Sequence, residues 1–561
     1  MQNPFLPESL VPKSFTLQFG PLIKFALGGW DRLRFHACLR PLFSASWMRN
    51  YLCAAKVRLK DFSAHAQALT ARVMEEGQRV AAGAGRPYHY LRSSQIRKEV
   101  FIEDIVRRDR VREGLIAVLS TVEPCLAISV RGARDRHRLI PVVEQRKCLH
   151  LYFYYEHSLF GRCHVRLQTW YPFSVDVCLN GRLWLARQMD AEGLKYRRAD
   201  NCFLDLEDPA RAQALADAQH SSAWLERLND LLAPVHPLQK EILRPFASLR
   251  YYWTLTQSEY ATDLVFRDAC DLARVYPAFV AHGLGTFQSP HIMRFLGHSV
   301  PVTTGRVHPR FRGEVRTDVL ERHEGVCLKH RAGLNSQKIY DKLGTVLRSE
   351  STVNGPEVFK IYRPAPDPVA RPSSKPTESL ATPPVRRARR APKTKPPRPW
   401  RRLRRSVVDI PPRAELSRAA NRRYLDALAS THVGTPLGEM AAPLCRPVLR
   451  DGKRFRALNP FQPAEAELLR VLSRGEWTMT GVRNRDLQKA LYAGRPRDKK
   501  TARRRSAAIG RRLRLLRAHG LLRKIPHTHR YMVTESGRAV LTALVAAQRA
   551  STEKLTLAMA A

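Results

Sequence analysis

The residues best suited to chemistry lie between Lys329 and Glu350, in KHRAGLNSQKIYDKLGTVLRSE. Two strands are expected there. One carries Lys338, Tyr340 and Lys342, and after a turn the other carries Arg348 and Glu350. A tyrosine hydroxyl can serve as a nucleophile, and a nearby carboxylate can take its proton or hold a metal ion. Metal-assisted phosphoryl chemistry needs several carboxylates to converge. Glu123, Asp176, Glu259, Asp263, Asp341 and Glu350 are the acids available for it. Glu259 and Asp263 stand four apart in SEYATD and share a face if that stretch is helical. The candidate catalytic residues are therefore Tyr340, Asp341, Glu350, Glu259 and Asp263. The competing reading is a structural hairpin with cross-strand charge pairs, in which the acids neutralise buried arginines.

Other chemistry has less to stand on. Cys148, His150, His157, Cys163 and His164 match no structural zinc spacing, and on a strand Cys163 and His164 face opposite ways. No metal site and no cofactor are expected, except Mg2+ if the nuclease reading holds. Tyr152–Tyr155 with Trp170, Tyr171 and Phe173 could stack bases on a sheet or simply fill a core. No P-loop, GxGxxG, HExxH, GxSxG or kinase signature occurs.

The elements that must position these residues are read from periodicity. Residues 1–120 read mainly as helix, with helical spacing in Asp61–Gln78 and a charged helix over Ile96–Arg112. Strands are expected at Leu126–Val130, Leu149–Tyr155, His164–Trp170 and Ser174–Leu179, with turn residues between them. A helix follows over Leu183–Glu192. Residues 205–300 read as helix again, at Pro209–Gln219, Ser222–Leu232 and Phe266–His282. Strands return at Gly325–His330, Gln337–Tyr340, Val346–Glu350 and Val358–Tyr362. No internal sequence repeat is found.

Residues 363–412 are rich in Pro, Arg and Lys. Between Arg386 and Arg405 there are eleven basic residues and no acidic one. Such a stretch is expected to be a flexible basic linker. Arg401, Arg402, Arg404 and Arg405 are expected on phosphates, with Trp400 stacking on an unpaired base. Beyond it, helices are expected at 463–474, 483–491 and about 501–518. The third carries Ile509, Leu513 and Leu516 on one stripe, and Arg503, Arg504, Arg505, Arg511, Arg512, Arg514 and Arg517 elsewhere. Leu521–Ile525 and Arg530–Thr534 can pair across a turn, adding Lys524, His527, His529 and Arg530 to the candidate nucleic-acid contacts.

In this order of elements, LLRAHGLLRK…HRYMVTESGR resembles the recognition-helix-to-wing passage of winged-helix proteins, over residues 460–545. The resemblance implies a helix in the major groove and a basic wing tip on phosphate. The Y-D-K…L-R-x-E pattern at Tyr340–Glu350 resembles a strand pair of rolling-circle replication initiators. Those enzymes cut DNA with a tyrosine and a metal held by paired histidines, and this chain has no such histidine pair in its central part. The whole also resembles bacterial proteins associated with mobile elements.

The totals agree with a nucleic-acid partner. The 561 residues carry 96 Lys+Arg against 50 Asp+Glu, a formal charge of +46 that works against compaction unless a polyanion matches it. DNA or structured RNA is the expected partner, and a membrane is not. Ten scattered cysteines without CxxC, and no basic-then-apolar N-terminal pattern, lead to an expected cytoplasmic location. The expected architecture is a multidomain α+β protein: a helical region over 1–120, an α+β body over 121–362, the linker over 363–412, and the winged helix over 460–545. The expected function is nucleic-acid binding. The alternative is a metal-dependent nuclease or replication initiator, so enzyme activity stays open.

Overall fold

The computed structural model describes residues 5–133, 138–236, 238–246, 249–298, 302–303, 306–307, 315–322, 325–362, 400–429, 437–473, 477, 481–494, 496–526 and 528–550. His527 and linker residues 363–399 lie outside them. Helix and sheet are mixed throughout, around a single large sheet.

That sheet has eleven strands. In chain order they are β1 (Ile23–Cys38), β2 (Tyr88–Tyr90), β3 (Gly114–Gly132), β4 (Leu139–His157), β5 (Gly161–Gln168) and β6 (Val175–Asn180). After a small separate hairpin, β7 (Tyr196–Ala199) and β8 (Cys202–Leu206), come β9 (Tyr252–Phe266), β10 (Val315–Arg322), β11 (Gly325–Ala332), β12 (Asn335–Lys342) and β13 (Val346–Val353). The order across the sheet is β10-β11-β12-β13-β9-β1-β6-β5-β4-β3-β2. Every pairing is antiparallel except β2 with β3 at the edge.

The order hides a duplication that the sequence does not betray. β1 is followed by helices α1 (Phe62–Gly83) and α2 (Lys98–Asp109), then by the meander β3–β6, which returns β6 beside β1. β9 is followed by helices α5 (Ala269–Gly285) and α6 (Ser289–Leu296), then by the meander β10–β13, which returns β13 beside β9. The two units meet where β1 pairs with β9.

Two strands correct the expected helices. Residues 1–120 contain β1, and residues 205–300 contain β9, the two strands at the centre of the sheet. A strand covered on both faces reads as a near-continuous apolar run and loses the period of two. IKFALGGWDRLRFHAC is such a run, buried without a break from Phe25 to Asp31. Glu259 and Asp263 still share a face, but as alternate residues of β9 rather than as a helical turn. The expected linker is also corrected at its end. Trp400–Arg402 pairs with Lys360–Tyr362, and Leu403 is buried. From Ile410 to Leu428 the chain forms α7, with prolines in its first turn. α7 lies on the back of the sheet, where Asn421 bonds to Tyr260, Thr262, Gln337 and Ser351.

One face of the sheet packs on an apolar core built around Trp30, Leu33, Phe35, Phe153, Val165 and Val177. The opposite face is polar along its middle. It is covered at the top by α3 (Gly181–Ala191), the β7–β8 hairpin and α4 (Pro209–Ala218), which enclose Phe25, Leu27, Val265 and Val346. Asn180 caps α3, its side chain accepting from the amides of Arg182 and Leu183.

The C-terminal stretch holds α8 (Pro463–Leu472), α9 (Asn484–Leu491), α10 (Lys499–Ala518), the short pair β14 (Leu522–Lys524) and β15 (Tyr531–Val533), and α11 (Glu535–Arg549). They enclose their own core of Leu468, Leu472, Leu487, Ile509, Leu513 and Leu541. Arg538 ties α11 to Asp426 of α7 at 2.8 Å.

Between Trp30 and Arg32 the β1–β9 register slips, so that Asp31 is an extra residue opposite Glu259. Such a bulge re-aims a side chain. Gly181 makes room for it, since a Cβ there would stand 2.3 Å from the Trp30 carbonyl oxygen. Gly181→Ala is expected to cost about 1–3 kcal/mol in urea unfolding, the usual range for overpacking. An unchanged midpoint would show that the bulge shifts freely.

Candidate active site

The bulge brings Asp31 to the polar face of the sheet, beside Glu259 of β9 and Glu350 of β13. Each offers an oxygen, and the three oxygens lie within 4.8 Å of one another. Among the described residues this is the only group of three such ligands so placed. Tyr340 of β12 donates its hydroxyl to Glu350 Oε2 at 2.9 Å, and Lys338 binds the other oxygen, Oε1. Gln257 donates to Glu259 at 3.1 Å, and Asn201, at the β7–β8 turn, donates to Asp31 at 2.6 Å.

A second layer holds the first in place. Arg348 grips Asp263 with two hydrogen bonds, Nε at 2.6 Å and Nη2 at 2.9 Å. Arg182 adds a third cationic contact at 3.0 Å. Arg348 also donates to the Asn201 carbonyl and lies 3.5 Å from Asp31. All three of Arg182, Arg348 and Asp263 are buried. A buried pair of this geometry is costly to break, because the remaining charge is left without water or partner.

The charges are unevenly satisfied. Burial raises Asp31 above the usual carboxylate range, and Glu350 and Asp263 add to the rise against the pull of Arg348. Burial and then Glu350 raise Glu259 likewise. Burial also pushes Glu350 and Asp263 upward, but their cations outweigh it: Lys338 and Arg348 hold Glu350 low, and Arg348 and Arg182 hold Asp263 low. Burial and Glu350 lift the Tyr340 phenol well above its ordinary value.

The chemistry of the cluster suits a divalent metal ion. The donors are all oxygens, the kind Mg2+ and Mn2+ take. At two of the three carboxylates burial outweighs the cations beside them, Arg348 at 3.5 Å from Asp31 and Arg32 at 4.0 Å from Glu259, and a divalent cation would supply the further charge. Asp31, Glu259 and Glu350 are the residues that would hold it.

The sequence candidates separate accordingly. Tyr340, Glu350 and Glu259 come together. Asp263 shares their face but is spent on two arginines. Asp341 lies on the other face of β12, half-buried and away from the cluster, because alternate residues of a strand point opposite ways. Asp31 was not among the candidates. Its signal was an acid inside an apolar run, in a stretch whose period of two the bulge interrupts.

From Asp31 a cleft of about 730 Å³ runs across β1, β6, β5 and β4 toward α2, lined by Arg32, Arg34, Lys98, Arg162 and Arg166 among others. Arg166 binds Asp176 at 2.6 Å and Glu123 at 3.0 Å. His36 bonds to Asp176 at 3.1 Å; burial opposes its charge, but that bond prevails and raises it to about 9. Burial lowers His164 to about 4. The aromatics form no stacking platform. Tyr152 and Tyr154 are 8% and 3% exposed and lie in a core with Ile102 and Ile105 of α2.

The basic candidates lie elsewhere. Arg503, Arg504, Arg511 and Arg514 are exposed on α10, while Arg505, Arg512 and Arg517 are half-buried. Arg505 covers the Tyr492 ring at 4.9 Å. Lys524 and His529 are exposed, and Arg530 is half-buried. Arg401 and Arg402 are exposed, whereas Arg404 pairs with Asp409 at 3.2 Å and Arg405 with Glu357 at 2.6 Å. Trp400 is exposed and meets the Tyr362 ring edge-on. No described helix is long and apolar enough to cross a membrane.

The raised carboxylates give a signed expectation. A raised acid holds its proton in the native state, so its stabilisation is present at low pH and lost as pH rises past its folded value. Metal binding must displace those protons. Mn2+ is therefore expected to raise the unfolding temperature, more at pH 8 than at pH 5. Glu259→Gln should remove most of the gain; a gain of equal size in that variant excludes the cluster as the metal site.

No family model, no curated protein and no solved structure matches this chain.

Proposed function

We propose that this protein is a metal-dependent nucleic-acid-cutting enzyme with Tyr340 as its nucleophile. The observation that carries the reading is the Tyr340 hydroxyl bonded to Glu350 within a cluster of three carboxylates. In the reaction the Tyr340 oxygen bonds to phosphorus as Glu350 Oε2 takes the phenolic proton. One P–O ester bond breaks, and the released sugar oxygen takes up a proton. Asp31, Glu259 and Glu350 would hold Mg2+ or Mn2+, which when bound would supply charge stabilisation to the phosphate oxygens. Lys338 keeps Glu350 ionised, Arg348 holds Asp263 and the Asn201 loop, and the arginine-lined cleft receives the strand beyond the cut. This Tyr340–Glu350 arrangement is what supports the replication-initiator resemblance; the candidate metal donors here are carboxylates, whereas that family uses paired histidines.

The C-terminal unit serves targeting on this reading. Its order of three helices, a two-stranded ribbon and a further helix supports a winged-helix assignment, and α10 presents four exposed arginines to a duplex. The protein then acts in the cytoplasm on DNA or structured RNA, and belongs with enzymes that start replication of mobile elements.

Two outcomes test this. With Mn2+, a mixture of single-stranded and duplex substrates should be cut, leaving a nucleotide bonded to protein. Tyr340→Phe should abolish the bonded product and Glu350→Gln should reduce cutting at least about a hundredfold, the scale of a lost acid–base group. Cutting that survives Tyr340→Phe removes the tyrosine from the chemistry. Separately, changing Arg503, Arg504, Arg511 and Arg514 to Gln should weaken duplex binding. It should also make the salt dependence shallower by about 0.9 per lost phosphate contact. An unchanged slope argues against α10 as the duplex-binding helix.

A further inference from the structure

Among the described residues, one cation beside the carboxylate cluster has no acid of its own. Lys329 of β11 stands directly opposite Lys338 of β12 in the ladder. Alternation places both on the face that carries Tyr340 and Glu350. Directly opposed residues of an antiparallel pair have Cβ atoms about 5 Å apart, and like charges there destabilise the sheet.

The neighbours do not remove the conflict. Lys338 spends its ammonium on Glu350. On the other side of Lys329 is Asp318 of β10. That carboxylate is taken by Arg316 at 2.8 Å and Arg331 at 3.4 Å. Lys329 itself is half-buried, and its ammonium makes no hydrogen bond or ion pair among the described residues. Burial, and then Lys338 and Arg331, pull its ammonium below its ordinary value. Four cations on three adjacent strands thus share two carboxylates, at the side of the cluster opposite the arginine-lined cleft. A bound anion would relieve this arrangement.

We infer that Lys329 is a phosphate-binding residue that seats a non-reacting phosphodiester of a nucleic-acid strand next to the one at Tyr340. This deepens the reading given under Proposed function and rests on it for the identity of the strand. The Tyr340 hydroxyl reaches Glu350 of β13, and about 10 Å of sheet separates β11 from β13, two strand spacings, so the phosphate held at Lys329 flanks the reacting one. With the cleft on the other side of Asp31, the strand crosses the carboxylates between two basic seats. Holding a non-reacting part of the substrate is a way to position the reacting part. Lys329 is therefore a positioning residue.

The test uses the full chain and a short single-stranded oligonucleotide. Its affinity is measured by fluorescence anisotropy over a salt series without divalent ions, and again as KM and kcat for cutting with Mn2+. Lys329→Met is expected to weaken binding about tenfold, the scale of one charge-assisted hydrogen bond. The salt slope should become shallower by about 0.7. KM should rise by a similar factor with kcat nearly unchanged. Lys329→Arg should restore affinity to within about twofold. Mn2+ affinity, read by electron paramagnetic resonance, should not fall in either variant. Unchanged affinity and slope in Lys329→Met overturn the inference, as does equal loss in Lys329→Met and Lys329→Arg. If wild type neither binds Mn2+ nor cuts, while Lys329→Met still loses affinity and slope, the nuclease reading fails and the phosphate seat stands.

Discussion

Everything at the centre of this protein depends on one electrostatic constraint: four carboxylates share one face of a sheet, and the cations beside them outweigh burial at only two. Asp31, Glu259, Asp263 and Glu350 are withdrawn from water on adjacent strands. Isolated, each would give up its charge rather than remain ionised there. The sheet resolves half of the conflict with Arg348, Arg182 and Lys338, which hold Asp263 and Glu350 ionised. At Asp31 and Glu259 burial prevails over Arg348 and Arg32. A cluster kept in that state is poorly explained as a stabilising network, since an apolar replacement of similar volume would serve stability better. It is well explained as a site that waits for positive charge from outside.

The surrounding architecture follows from the need to hold these groups rigidly. Central strands covered on both faces have little freedom, and the bulge at Asp31 is trapped between β9 and the start of α3. On the back of the sheet, α7 contributes a polar network, with Asn421 bridging β9, β12 and β13. The hairpin turn of β7 and β8 adds Asn201, which touches both Asp31 and Arg348. A site built on strands and clamped from both faces is more exact than one built on loops.

The sequence disclosed some of this and withheld the rest for physical reasons. The Tyr340–Glu350 hairpin was legible because turn chemistry and the period of two are local. The same holds for the C-terminal helices, whose basic faces and apolar stripes are plain. β1 and β9 were not legible, since burial on both faces erases alternation. Asp31 was hidden with them, because a bulge is a register property of two strands some 230 residues apart in the chain. The cut between linker and body was misplaced at 412 because a basic composition suggested disorder, whereas Leu403, Val407 and Ile410 bury enough apolar surface to fix the chain from Trp400 onward. The duplication was invisible because it is one of topology: the two meanders return to their first strands in the same manner with unrelated side chains.

The position of α7 in the chain has its own consequence. During synthesis, β1 leaves the ribosome first and must wait for β9, β12 and β13 before its acid has neighbours. The sheet behind them stays uncovered until α7 follows, after residues 363–399 have been made. Contacts of such long sequence separation form slowly. The carboxylates are thus among the last groups to be assembled, and a chain interrupted before Leu428 has the clustered side chains but not the wall that aligns them. The finished cluster is in this way reserved for chains that have been translated almost to the start of the C-terminal unit.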